Sequence, residues 1–210
     1  MAKFGLACEG ITDQIVIENI LCGYYKDYDD LDEEIIAFEP LRDETGKKQE
    51  ENSGGWTRLL TYLSESRFKD DVLNSNYTII QLDSDISDRE DFDVIKGDLT
   101  TQELISKIIE KLIVQIECSF YEQNREKIIF AISVHSLECW ILPLYKNLKQ
   151  EKIVGCFETL QRESKEIKVI KEYKTYNKLT RDFTKHKKLM KIVSKNESFQ
   201  IFINSLPSKP

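Results

Sequence analysis

The chain has 210 residues, 40% of them hydrophobic and 32% charged, with a formal net charge of -7 at pH 7. That length suits one domain with an extension and is enough to bury a sizeable core, and only 8 Gly and 4 Pro exclude a long low-complexity tract. No apolar run approaches the roughly 20 residues that cross a bilayer, no secretory signal is read at the start, and five widely spaced cysteines without a Cys-x-x-Cys pair argue against a disulfide framework or a structural zinc, so a reducing cytoplasm is the expected setting.

The elements alternate along the chain. Residues 4–8 read as a short buried strand. Ile11, Ile15, Ile20 and Leu21 then mark a helix over 11–24, with Gly10 between the two to allow a sharp turn. After an acidic loop, residues 34–40 carry Ile35, Ile36, Ala37 and Phe38, a second strand stopped by Pro40. The polar stretch 41–55 reads as an exposed loop ending in Ser53-Gly54-Gly55, whose free backbone N–H groups could hold a phosphate but which lacks the Lys and spacing of a Walker loop. Trp56, Leu59, Leu60 and Leu63 recur at helical spacing. Residues 77–82 are the clearest strand, ending at Asp83, and a second acidic loop follows through residue 97.

Thr100 and Glu103 match a capping box, and Leu104, Ile105, Ile108, Ile109, Leu112 and Ile116 give the next helix a wide apolar face. Residues 127–134 form another buried strand, after which Ser136 is expected to cap a helix carrying Trp140 and Ile141. Beyond about residue 150 the chain turns helical and basic: residues 165–195 hold 11 Lys and Arg against 3 Asp and Glu, whereas residues 1–164 hold 18 against 33. Asn196-Glu197-Ser198 starts a last helix whose Phe199, Phe202, Ile203 and Leu206 pack back onto the body. The expected architecture is therefore an α/β domain over residues 1–150, a mostly parallel sheet with helices on both faces, and a helical, basic extension over 151–210 that packs on it.

Two acidic motifs stand at strand ends. Glu9-Gly10-Ile11-Thr12-Asp13 follows the first strand, and Asp83-Ser84-Asp85 follows the strand at 77–82. Carboxylates where strands leave an open α/β sheet face the ligand crevice, and a group of them suits Mg²⁺ or Mn²⁺, which take oxygen ligands. Each motif also has an ordinary structural explanation: Asp13 offsets a helix dipole, and Asp83-Ser84-Asp85 belongs to an acidic loop. A third segment, His135-Ser136-Leu137-Glu138-Cys139-Trp140, follows the strand at 127–134 and offers Glu138, and less directly His135, to the same crevice. Alternatively Glu138 stabilises its own helix start and Trp140 is core.

The pairing of Glu-Gly-x-x-Asp with a later Asp-x-Asp resembles the Toprim domain of topoisomerases, primases and related nucleases, over roughly residues 3–90. With the Ser136-Leu137-Glu138-Cys139-Trp140 segment and the Asn196-Glu197-Ser198-Phe199 patch, the chain looks like small bacterial Toprim-like proteins that occur beside ATPases in anti-phage systems. The resemblance implies a Toprim/Rossmann-like sheet and a Mg²⁺- or Mn²⁺-dependent nuclease. It implies Glu9 as the catalytic acid–base or a ligand of one metal, Asp83 and Asp85 as metal ligands and Asp13 as assisting; Asp83 is expected to be catalytic with Glu9, and Glu138, from its own strand end, to join the metal.

The basic cluster Lys185, Lys187, Lys188 and Lys191, with Tyr173, Tyr176 and Phe183 nearby, is expected to bind the backbone of DNA or RNA and stack a base. A solvated helix whose aromatics are core is the alternative. Two other functions stay open: a silent or conditionally activated partner of an ABC-type ATPase, and a glycosyltransferase using Asp83-Ser84-Asp85, in which Glu9 and Glu138 would be incidental. The sequence leaves oligomeric state undetermined.

Overall fold

Both faces of the sheet are buried, which is why its strands read as near-continuous apolar runs rather than alternating ones. The computed structural model describes residues 2–42, 55–90, 92–148, 151–165 and 167–210. The Ser53-Gly54 part of the expected phosphate loop, most of the polar stretch at 41–55, and Asp91 lie outside the described residues. Four strands, β1 (Ala2–Ala7), β2 (Ile35–Glu39), β3 (Ser75–Asp83) and β4 (Ile128–Ser133), form one sheet in the order β2-β1-β3-β4, and every pairing is parallel. The fold is α/β, with ten α-helices among the described residues: α1 (Ile11–Tyr24), α2 (Trp56–Ser64), α3 (Ser66–Leu73), α4 (Thr101–Ile116), α5 (Cys118–Asn124), α6 (Glu138–Ile141), α7 (Cys156–Glu163), α8 (Tyr173–Thr180), α9 (His186–Val193) and α10 (Glu197–Ser205).

Alternate strand residues supply two cores. Phe4, Leu6, Ile79 and Ile129 pack under α1 and the C-terminal helices, while Ala7, Ile80, Leu82 and Ile132 pack under α2, α3 and α4. Each fully buried Leu, Ile or Phe contributes about 1.5–3 kcal/mol of transfer free energy. Gly5 in β1 is required by the second core: a Cβ there would stand 1.7 Å from the Phe38 ring carbon Cε2.

Helix α1 is buried on nearly every side, including Gln14, Asn19 and Gly23, because the sheet lies beneath it and α8 and α9 lie above it. The sequence shows only the stripe facing the sheet. The outer face is polar and satisfied: Asn19 Nδ2 donates to Thr180 Oγ1 at 2.8 Å, and Gln14 Nε2 donates to the Pro40 carbonyl at 2.7 Å. Gly23 lets the chain at Phe183 approach so closely that a Cβ would lie 1.8 Å from the Phe183 carbonyl oxygen. The basic C-terminal segment therefore shares the main core with α1 and the sheet.

Several local expectations hold. Thr100 and Glu103 form a reciprocal capping box on α4, and Asn196 caps α10 by accepting from the Phe199 N–H at 2.9 Å. Three need correction. Ser136 does not cap α6, which begins after Leu137 with no side-chain cap. Gly10 is in extended backbone that any residue adopts; what a side chain would crowd there is the Asp13 carboxylate, 3.1 Å from the position of a Cβ. Cys139 and Cys156 form a disulfide between α6 and α7, with Cα atoms 5.1 Å apart. They stand 17 positions apart in the chain, so only the return of the chain in three dimensions brings them together. No helix among the described residues is long and apolar enough to cross a membrane.

Candidate metal centre

Strand order sets the position of the site. β1 lies between β2 and β3, so the chain goes from β1 outward to β2 and then back past β1 to β3. The crevice of such a sheet opens at that reversal, beyond the carboxyl ends of β1 and β3. Ala7 pairs with Ile80 and Asp83 with Ser133, which puts the residues just after β1, at the end of β3 and at the end of β4 on one level. A cleft of about 470 Å³ opens there, and Glu9, Asp13, Asp83, Asp85 and Glu138 all line it. Every residue expected around a metal is thus present on one wall or another, although the five come from three segments remote from one another in the sequence.

Protein donors hold these carboxylates. Glu9 Oε2 accepts from the Asp83 backbone N–H at 2.8 Å, and the Trp56 N–H at the start of α2 also reaches the Glu9 carboxylate. Asp83 Oδ1 accepts from Gln81 Nε2 at 2.9 Å and from the Ser133 hydroxyl. Glu138, buried at the first residue of α6, accepts from the Tyr176 hydroxyl at 2.5 Å. Asp85 is fixed through its backbone, its N–H donating to the His135 carbonyl at 3.1 Å.

Burial, with the crowding of negative charge adding to it, raises four of these carboxyls. Burial, opposed by the Asp83 N–H and reinforced by Asp85, raises the Glu9 carboxyl from 4.5 to about 7. Burial first, then the charges of Glu9 and Glu138, pushes Asp13 well up. Burial and the charges of Asp13, Glu9 and Glu138 do the same to Asp83, against the Ser133 hydrogen bond. Asp85 is also raised, by burial, although His135, Lys171 and Arg89 oppose it. A desolvated cleft that disfavours carboxylate charge, with mutual repulsion adding to it, is one whose cost a divalent cation would relieve.

The donor set fits Mg²⁺ or Mn²⁺: it is all carboxylate oxygen, the ligand type these ions take. Among the described residues no three His, Cys, Asp or Glu side chains already surround a single cation position. The hydrogen bonds explain this arrangement, since Glu9 and Asp83 direct oxygens to Asp83 N, Gln81 and Ser133. A metal would compete with those donors, and the free lone pairs of each carboxylate leave room for it to do so.

Lys171 lines the same cleft, the one cation among its described lining residues, and it acts on Glu9, Asp13 and Asp85. Sequence reasoning passed over it as one lysine in a lysine-rich stretch. It took Tyr176 for a base-stacking aromatic rather than the donor to Glu138, and it passed over Gln81 and Ser133; the facing of Asp83 and Ser133 is a matter of strand register, which the sequence of either strand alone does not contain.

The basic cluster is placed differently. Lys188 and Lys191 line a separate groove of about 370 Å³ together with Lys146 and Lys195, whereas Lys187 is one helical step away from that face. Asp182 sits among them, 2.8 Å from Lys185 and 2.5 Å from Lys188, and offsets part of their charge. The expected base stacking is overturned for two of its three aromatics. Tyr176 and Phe183 are fully buried, and the Arg42 guanidinium covers the half-buried Tyr173 ring at 5.4 Å. His186 turns inward, its Nδ1 2.9 Å from the Gly23 carbonyl.

Trp140 is core, as the plainer reading of its segment has it. Its ring stacks on Phe199 with centroids 4.7 Å apart, and its Nε1–H donates to Ser198 Oγ at 2.8 Å. Ser198 donates in turn to Asn196 Oδ1 at 2.9 Å. The segments 136–140 and 196–199, remote in sequence, meet through these contacts and set the position of α6, which carries Glu138. Comparison with family models, with curated proteins and with solved structures gave no match for this chain.

Proposed function

We propose that this chain is a divalent-metal-dependent nuclease of Toprim-like type. The observation that carries the reading is the meeting of Glu9, Asp13, Asp83, Asp85 and Glu138 with Lys171 in one cleft at the reversal of a parallel sheet. Asp83, Asp85 and Glu138, with Glu9 and Asp13, would hold Mg²⁺ or Mn²⁺. The metal, when bound, supplies Lewis-acid activation and charge stabilisation for phosphodiester hydrolysis. Glu9, which accepts from the Asp83 N–H in the same cleft, would take up and return a proton during attack and departure. Lys171 presents a positive charge to the non-bridging oxygens of the scissile phosphate. Lys146, Lys188, Lys191 and Lys195 track the polyanion outside the cleft.

The same observation favours this reading over a glycosyltransferase, in which Glu9 and Glu138 would have no part. The second reading, a chain that cuts only when a partner such as an ATPase of a phage-defence system releases it, differs from the first in whether the isolated chain cleaves.

Calorimetric titration of Mg²⁺ and Mn²⁺ into wild type and Asp83→Asn/Asp85→Asn, with DNA and RNA cleavage followed in the same buffers, tests the proposal. Metal binding abolished in the double variant and metal-dependent cleavage by wild type are expected. Metal binding without cleavage points to the partner-dependent form; absence of metal binding overturns the assignment.

A further inference from the structure

A second pocket, of about 370 Å³, lies on the other side of Asp85. Asp85 belongs to the walls of both cavities, so an occupant of the second pocket is separated from the carboxylate cleft by one side chain. Two of the most exposed large apolar residues among the described ones, Ile95 at 70% and Val154 at 59%, line it. Together they give this pocket an aliphatic part beside its polar residues, a lining that suits a flat heterocycle.

The floor is His135. Its backbone is left-handed, with φ of 69°, which costs a residue with a Cβ about 1–2 kcal/mol. Two hydrogen bonds enforce that conformation: His135 N–H donates to Ser84 Oγ at 2.7 Å, and its carbonyl accepts from Asp85 N–H at 3.1 Å. The imidazole lines the pocket, and its Nδ1 is buried without a hydrogen-bond partner among the described residues. Asp88 and Lys96 complete a polar rim.

We infer that this pocket receives one unpaired nucleobase of a single-stranded nucleic acid, its ring between Ile95 and Val154 and its polar edge on His135. The inference rests on the nuclease reading above and narrows its substrate. A base inside a duplex is stacked on both faces and cannot enter a pocket of this size without being extruded. A base joined to the phosphate on the far side of Asp85 can do so while that phosphate stays in the carboxylate cleft.

The test uses the full chain and fluorescently labelled oligonucleotides in buffer with Ca²⁺, a divalent cation that carboxylates bind and that keeps phosphate in the cleft, with anisotropy as the readout. The probes are a single strand, the same sequence as a duplex, and a series of single strands each with one abasic position. Wild type is expected to bind the single strand at least about 10-fold more tightly than the duplex, and to lose about 10-fold at one abasic position of the series. Ile95→Ser/Val154→Ser, at two exposed positions, is expected to lose the same factor while its Mg²⁺ titration is unchanged. His135→Asn, whose side chain tolerates left-handed backbone, is expected to weaken the single strand and leave the melting temperature in place.

Equal affinity for intact and abasic strands, a preference for duplex, or an unaffected Ile95/Val154 variant would overturn the subsite. If wild type also cleaves with Mg²⁺ or Mn²⁺ in such a case, the nuclease reading stands and only the subsite falls. Absence of both binding and metal-dependent cleavage removes the two together.

Discussion

Replacing Glu9 by Gln removes the negative charge but keeps an acceptor for the Asp83 and Trp56 N–H groups. Burial lifts the Glu9 carboxyl from 4.5 to about 7, so the fold favours its protonated form. The associated stability is fully present below about pH 4.5 and is lost as pH rises through about 7. The difference between those titration points is worth about 3 kcal/mol. Glu9→Gln has nothing to lose over that range. It should match wild type at pH 4 and exceed it by up to about 3 kcal/mol at pH 8, or about 6–12 °C in melting temperature for a chain of this length. Thermal melts of both proteins from pH 4 to 9, in EDTA, measure the difference directly. Asp13 and Asp83, which the Glu9 charge also raises, lose that repulsion in the variant, so their titration widens the gap at pH 8 in the same direction. Adding Mg²⁺ should close the gap at pH 8, because the wild-type carboxylate gains a cation that the neutral amide of the variant cannot use as well. A difference that is absent at pH 8, or that grows as pH falls, would refute the account of a desolvated, charge-crowded cleft.

Lys171→Met should lower kcat by about 10²-fold with little change in KM. It should also raise the lower limb of the kcat–pH profile, since Lys171 holds the Glu9, Asp13 and Asp85 carboxyls down; an unchanged profile would remove Lys171 from the site. Ser198→Ala leaves the Trp140 Nε1–H without its acceptor at 2.8 Å and Val134 N–H without its acceptor at 3.3 Å. Urea denaturation followed by tryptophan fluorescence should report a loss of about 1–3 kcal/mol with the slope unchanged, and an unchanged midpoint would argue against this buried network. Gly23→Ala places a methyl 1.8 Å from the Phe183 carbonyl oxygen, and at least about 1–3 kcal/mol of destabilisation should follow. Wild-type stability in that variant would show that α1 and the 181–184 turn do not meet this closely.

Much of the architecture was legible in the sequence, because local chemistry decides it. The run at 77–82 is β-branched and aromatic, and it forms the centre of β3. Thr100 and Glu103 stand at capping-box spacing and make both capping bonds. The amphipathic α4 and the apolar face of α10 follow from periodicity, and the alternation of strands and helices led to a parallel sheet. The acidic motifs were legible for the same reason, since a polar residue directly after a buried strand has to emerge at the end of the sheet.

What the tertiary structure alone decided concerns groups that meet across long stretches of chain. Spacing along a sequence does not specify distance in space, so the convergence of Glu9, Asp83 and Glu138 depended on the strand order β2-β1-β3-β4. The pairing of Cys139 with Cys156 and the meeting of Trp140 with Ser198 depended on how the C-terminal helices return. Tyr176 and Lys171 read alike as members of a basic, aromatic tract, yet one supports Glu138 from the core and the other lines the cleft. The composition of that tract was available from the residues; the direction each side chain faces was set by packing against α1 and the sheet, because burial is a property of the whole fold.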